Sequence, residues 1–372
     1  MHTVCCYGDD GLSEASETPS ETAETRSEVH TQRNFLATLQ ALRFLAAFMV
    51  VVYHARFALP NEVAASMRPI TLRVLDLGAS GVHIFFVISG FVMVLNGLHP
   101  SRPMRSGEFL SRRFIRIYPI YLLIGGLYLA AHALWGTPYA LSVADVALAA
   151  ALIPPYSALV IGPGWTLSFE LYFYFCFAVC LFLPRRMTLP VLTAFFLGSI
   201  TMGRLYGFTD TIYVPTNSLL IEFLAGAWLA SWYLGGGRIK PRVGTVLIAV
   251  GIGLFVAGAM MPEHRYPSAM KWGGPALILV AGFLAIEPFW QGRLSRIATT
   301  LGDSSYFLYL SHILLLDLLS FFVGGQVGLG NMAGVGASIA LALPIVVVAH
   351  AGYLWIEKPL LGLMKRALVR GW

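Results

Sequence analysis

The chain has 372 residues, of which 57% are hydrophobic and 12% charged, with a formal net charge of +6. Soluble domains carry about 25% charged residues, so this composition and a mean hydropathy of +0.71 exclude an ordinary water-soluble fold. Cys5 and Cys6 are adjacent, and Cys176 and Cys180 lie one helical turn apart. Neither spacing suits a metal site or a disulfide framework, which sets zinc and redox chemistry aside.

Residues 1–34 are polar, with seven acidic residues against Arg26 and Arg33 and many Ser and Thr. They read as a disordered acidic tail with no cleavable signal peptide. Residues 35–372 read as one all-α membrane domain, a polytopic bundle of about ten transmembrane helices. The expected spans are Leu36–Ala58, Gly78–Gly97, Ile117–Trp135, Trp165–Leu183, Leu189–Gly203, Leu219–Leu234, Val243–Met261, Trp272–Pro288, Tyr306–Val323 and Ala333–Ile356. The apolar piece Val143–Ile153 is short and contains Asp145, so it is expected to be half-buried or interfacial. With both termini cytoplasmic, this count places sixteen Lys and Arg on the inner side and six on the outer. That asymmetry is the one the positive-inside rule requires. No paired broken spans stand out, which argues against a secondary transporter.

Five stretches carry polar residues where lipid-like ones would be expected. In Leu39–His54, Arg43 and His54 are eleven residues apart, about three turns, so both side chains sit on nearly one helix face. They are separated by roughly 16 Å along the axis at about 1.5 Å per residue. Two readings stand: a functional pair facing a cavity, or an arginine snorkelling to the interface with a histidine at the far end of the span. In Gly81–Phe91, the small residues Gly81, Ser89 and Gly90 suit close helix packing, and His83 is either interfacial or part of a polar site. In Ser111–Pro119, Arg113 and Arg116 share a helix face and could clamp a phosphate, or anchor the helix on lipid headgroups.

Glu170, in Gly164–Glu170, lies one turn into an apolar run and needs a pairing partner or a hydroxyl substrate, and His54, toward the same outer half, is one group it could meet. Glu222, Asp303, His312 and His350 are further polar intruders, with His312 expected in the inner half of its span. Ser305, Tyr309 and His312 fall on one helix face, a pattern suited to interhelical hydrogen bonds.

The segments LRFLAAFMVVVYHA, GVHIFFVISGF, RRFIRIYPIY, GWTLSFELYFY, GDSSYFLYLSH and IEKPL follow one another in that order. Together they resemble the acyltransferase-3 family of integral membrane O-acyltransferases, which modify bacterial surface and exported polysaccharides. The likeness runs from about Leu39 to Leu360 and makes residues 35–372 a transmembrane acyltransferase domain. The resemblance implies that an Arg-x10-His motif falls on Arg43 and His54, the histidine being the base. It implies that an Arg-x-x-Arg motif falls on Arg113 and Arg116, which serve the cytoplasmic acyl-CoA. The family's Trp-Thr/Ser-Leu-x-x-Glu pattern falls on Trp165 to Glu170. The family commonly has an acidic residue where this chain has His83.

The expected catalytic residues are therefore His54, Arg43 and Glu170, with Arg113 and Arg116 binding acyl-CoA and with His83, Glu222 and His312 in a polar site. Acyl-CoA, most simply acetyl-CoA, is expected as co-substrate, with no bound cofactor and no metal. The expected partners are a glycan acceptor and membrane lipids, not nucleic acid, in the bacterial inner membrane. His54 would take a proton from the acceptor hydroxyl or hold the acyl group transiently, and Glu170 would orient His54 or bind the sugar. A polar channel is expected to join Arg43 to His54. A small-molecule or lipid acceptor, and a transporter without chemistry, are the alternatives.

Overall fold

The computed structural model describes residues 37–59, 67–100, 104–137, 140–207, 213–261, 268–290, 292–323 and 334–369. The acidic tail, residues 1–34, lies outside the described residues. Among those described, every regular element is helical. The principal helices are α1 (Ala37–Ala55), α2 (Pro69–Asp76), α3 (Gly81–Gly97), α4 (Ser106–Leu134), α5 (Val143–Ala150), α6 (Gly164–Cys180) and α7 (Arg185–Tyr206). They continue with α8 (Leu220–Leu234), α9 (Pro241–Met260), α10 (Gly274–Ile286), α11 (Gly292–Asp303), α12 (Ser305–Val323), α13 (Gly334–Gly352) and α14 (Lys358–Val369).

Seven helical stretches among the described residues are long and apolar enough to cross a bilayer. The pair α11–α12, bent by 54°, adds an eighth if it is one span. The expected fourth and sixth spans fall on α6 and α8, which are apolar but shorter. The chain is a multi-pass membrane protein.

The expected half-buried piece after α4 is the short helix α5, and its acidic residue has a local use. The Ser142 hydroxyl accepts from the Asp145 N–H at 3.1 Å, and the Asp145 carboxylate accepts from the Ser142 N–H at 2.9 Å. This capping box satisfies two otherwise unpaired donors at the helix start. The Ser142 side chain and backbone donors hold the Asp145 carboxyl below its ordinary value.

Helix α1 packs against α3, α10, α11, α12 and α13, so it lies at the centre of the bundle. Its buried start needs partners for N–H groups that the helix leaves free. Glu287, just beyond α10, supplies them: its carboxylate accepts from the N–H of Ala37 at 3.0 Å and of Thr38 at 2.8 Å, and from the Thr38 hydroxyl. A carboxylate at a helix N-terminus also opposes the positive end of the helix dipole. Lower on α1, Gly302 of α11 lies so close that a Cβ there would stand 2.4 Å from the Gln40 carbonyl oxygen. The chain bends just after it. The Ser304 hydroxyl donates to the Leu301 carbonyl at 2.8 Å, and the Ser305 hydroxyl to the Gly302 carbonyl at 2.6 Å. Such bonds compete with the regular helix ladder and accompany bends.

Helices α3 and α8 approach more closely still through Gly90 and Gly226. A Cβ on either would lie 1.9 Å from a carbonyl oxygen of the opposite helix. This is the small-residue packing that membrane helices use in place of a hydrophobic drive.

Candidate active site

Four of the expected site residues meet in one cavity of about 280 Å³. Arg43 reaches it from α1, Arg113 and Arg116 from α4, and Glu170 from α6, with Ser89, Thr166, Tyr174, Tyr306 and Tyr309 also on its wall. Arg43 therefore faces an internal space and does not snorkel to the interface. Its guanidinium donates to Gln40 at 3.2 Å, and Gln40 in turn donates to Asp303 at 2.6 Å. Arg113 lies over the rings of Tyr174 and Phe109, at 5.2 and 5.4 Å from their centroids. Arg116 lies 5.8 Å from the Tyr306 ring centroid. Among the described residues no carboxylate closes an ion pair with any of the three. Half-buried guanidinium groups with free donors on one wall are a ready site for a polyanion.

Glu170 has the partners its setting requires, on α3 and on its own helix. Its carboxylate accepts from the Ser89 hydroxyl at 2.6 Å and from the Tyr174 hydroxyl, and it faces the electrostatic field of Arg43. It does not meet His54. The cause is the spacing along α6: Glu170 and Tyr174 are one turn apart and share the face that lines the cavity. Ser89, expected only to permit close packing, supplies a donor to this carboxylate.

His54 instead meets His312. His54 Nδ1 lies 2.9 Å from the Val50 carbonyl oxygen and 3.2 Å from His312 Nε2, and the two rings are 4.9 Å apart. His312 is fully buried, and its Nδ1 lies 2.7 Å from the Tyr309 carbonyl oxygen. Its placement at the level of His54 corrects the expectation of an inner-half position. Helix α11 lays only its Ser295, Ala298 and Gly302 face against α1, and the chain bends by 54° before α12 brings His312 to His54.

The channel expected from Arg43 to His54 is interrupted. Tyr309 lines the cavity, its hydroxyl 3.0 Å from that of Thr166, and its ring lies 5.5 Å from the Phe85 ring. His54 does not line the cavity and is linked to its wall through His312 and Tyr309.

The other polar candidates separate from this pair. His83 Nδ1 lies 2.7 Å from Glu222 Oε1, with the Glu222 side chain almost fully buried and Trp272 near the His83 ring. His83 is thus part of a polar pair with a carboxylate on α8 and is not joined to His312. His350 lies 3.2 Å from the Ser304 hydroxyl, at the bend.

One residue was missed. Glu357, in the π-helical turn Tyr353–Glu357, is fully buried, and neither carboxylate oxygen has a hydrogen-bond partner among the described residues. Arg116, Arg43 and Asp303 are the charged groups that act on it. The IEKPL segment contained the signal: an unpaired carboxylate at the end of an apolar span requires a partner.

A family model described as an acyltransferase domain matches residues 36–351. The chain belongs to the acyltransferase-3 family. It is an O-acyltransferase, and the family leaves no place for the reading as a transporter without chemistry. Among acyltransferase-3 relatives it is 33% identical over 295 residues to the exopolysaccharide production protein ExoZ of Rhizobium meliloti, covering 77% of this chain and 90% of the relative. It is 24% identical over 367 residues to the acyltransferase MdmB of Streptomyces mycarofaciens, covering 89% and 93% of the two chains. A putative acetyltransferase, ORF330 of Acidianus two-tailed virus, is 26% identical over 352 residues, covering 88% and 96%. No solved structure matches.

Proposed function

We propose that this acyltransferase moves an acetyl group from cytoplasmic acetyl-CoA to a hydroxyl of an exported glycan at the bacterial inner membrane. The observation that carries the reading is the cavity wall of Arg43, Arg113 and Arg116, whose far end at Tyr309 backs directly onto His312 and His54. The glycan acceptor follows from the likeness to an exopolysaccharide production protein. In this reading α6 and α8 also cross, thinning the bilayer locally as short spans do. With the bent pair they give ten crossings and two cytoplasmic termini.

The donor's phosphates bind Arg113 and Arg116 by charge-assisted hydrogen bonds, with Arg43 deeper along the arm. A cavity of about 280 Å³ lies just below the usual ≈ 300–1,000 Å³ of small-molecule clefts, which suits a slender pantetheine arm better than a nucleotide. Phe85 and Tyr309 close the way to His54, so the Tyr309 ring turns aside from Thr166 as the thioester advances. The acceptor oxygen attacks the thioester carbon while its proton passes to His54. The carbon–sulfur bond then breaks, and the thiolate leaves with the proton that His54 returns.

A second reading is an acceptor carried on a lipid. A separate cavity of about 860 Å³ runs along the opposite face of α6, lined by Trp165, Phe169, Tyr172, Phe175 and Tyr213 among others. The test is transfer of labelled acetyl from acetyl-CoA by the purified protein, together with mass spectrometry of the polysaccharide from cells with and without the active gene. Loss of an O-acetyl signal from the glycan supports the first reading. An unchanged glycan with an acetylated lipid fraction supports the second.

A further inference from the structure

The two histidines constrain each other's protons. A carbonyl oxygen only accepts, so the 2.9 Å contact of His54 Nδ1 with Val50 and the 2.7 Å contact of His312 Nδ1 with Tyr309 each require a proton on Nδ1. A neutral imidazole has one ring proton, so Nε2 is bare in both rings. This assignment also satisfies the third contact: the His54 Nδ1–H forks between the Val50 carbonyl and the bare His312 Nε2 at 3.2 Å. The other neutral tautomers fail. A proton on His54 Nε2 would set its Nδ1 lone pair against both an oxygen and a nitrogen lone pair. A proton on His312 Nε2 would point at the His54 Nδ1–H and leave its own Nδ1 lone pair facing the Tyr309 oxygen.

We infer that His312 is a positioning residue that holds His54 in the Nδ1–H tautomer, leaving the His54 Nε2 lone pair free for the acceptor hydroxyl. The inference rests on the reading of His54 as the base. When His54 Nε2 takes the proton, the bond it already makes from Nδ1–H to His312 becomes charge-assisted and steadies the imidazolium. Arg56 is the charged group that acts on His54, and no carboxylate among the described residues bonds either ring. A neutral acceptor fits this place, since a carboxylate desolvated inside the bundle carries a far larger burial cost. The His312 ring is itself fixed by full burial and the Tyr309 carbonyl.

Two variants separate this role from packing. His312→Phe keeps a ring beside Tyr309 and removes the acceptor. His312→Gln places a carbonyl near the former Nε2 position, where it can accept from His54 without titrating. Steady-state transfer by purified protein is expected to show kcat reduced about 10²- to 10³-fold in His312→Phe, the scale of losing one preorganised hydrogen bond at a reacting centre. KM for acetyl-CoA is expected within about threefold of the parent, since ground-state binding is untouched. His312→Gln is expected to recover to within about tenfold of the parent kcat, and His54→Ala to be inactive. An inactive His54→Ala beside a His312→Phe enzyme of near-parental kcat overturns the positioning role alone. Equal losses of kcat and of thermal stability in the Phe and Gln variants overturn it too, in favour of packing. Normal transfer by His54→Ala overturns the reading of the base itself, and the positioning role with it.

Discussion

Replacing Arg113 with Gln removes one of three guanidinium groups from the cavity wall without removing a partner from any described carboxylate. A hydrogen bond to a charged group contributes about 1.5–3 kcal/mol, and the half-buried position of Arg113 limits screening by solvent. At about 1.4 kcal/mol per decade, KM for acetyl-CoA should rise about 10- to 100-fold while kcat changes little. Arg113→Lys keeps the charge but loses the planar contact with the Tyr174 and Phe109 rings. A cation–π contact of about 0.5–1 kcal/mol makes its effect only a few-fold. The discriminating assay compares acetyl-CoA with S-acetyl-pantetheine, which lacks the nucleotide phosphates. Arg113→Gln should spare turnover of the short donor. Equal losses with both donors, or a fall in kcat with KM unchanged, would refute the phosphate-binding role.

Glu170→Gln keeps a partner for Ser89 and Tyr174 but removes the negative charge that shares the cavity with the arginines. KM for acetyl-CoA should fall about fivefold, the scale of about 1 kcal/mol for one partly exposed charge pair, with kcat nearly constant. A collapse of kcat at constant KM would place Glu170 in the chemistry. His83→Leu leaves the buried Glu222 carboxylate without its hydrogen-bond partner, and an orphaned buried charge costs about 3–5 kcal/mol. Thermal unfolding should show a marked loss of stability that the double variant with Glu222→Leu largely restores, whereas a wild-type midpoint in His83→Leu would show that the pair contributes nothing.

Hydropathy made the helical bundle legible, because each expected span falls on an apolar helix, and motif spacing made Arg43, Arg113, Arg116 and Glu170 legible as polar residues in need of a cavity. What sits opposite each residue was not. Helix α11 carries Arg293 and Arg296 and reads as a cytoplasmic loop, yet its Gly302 face packs against Gln40. Missing the bend that follows it hid the contact of His312 with His54. His83 and Glu222 are 139 residues apart, and only their similar positions near the starts of two spans hinted at pairing. Glu357 was passed over because it stands in a short motif beside Lys358, where a carboxylate reads as solvated. Its π-helical turn turns it inward instead. Periodicity reports which face of a helix is polar; it says nothing of which other helix that face meets.

The most direct test of the division between a donor-binding arginine wall and a proton-accepting histidine is His54→Ala in the full-length protein, assayed for both donor binding and transfer. The account predicts that acetyl-CoA binds with near-parental affinity and that acetyl transfer to the acceptor is abolished. Transfer at the parental rate, or loss of donor binding with the protein still folded, would contradict it.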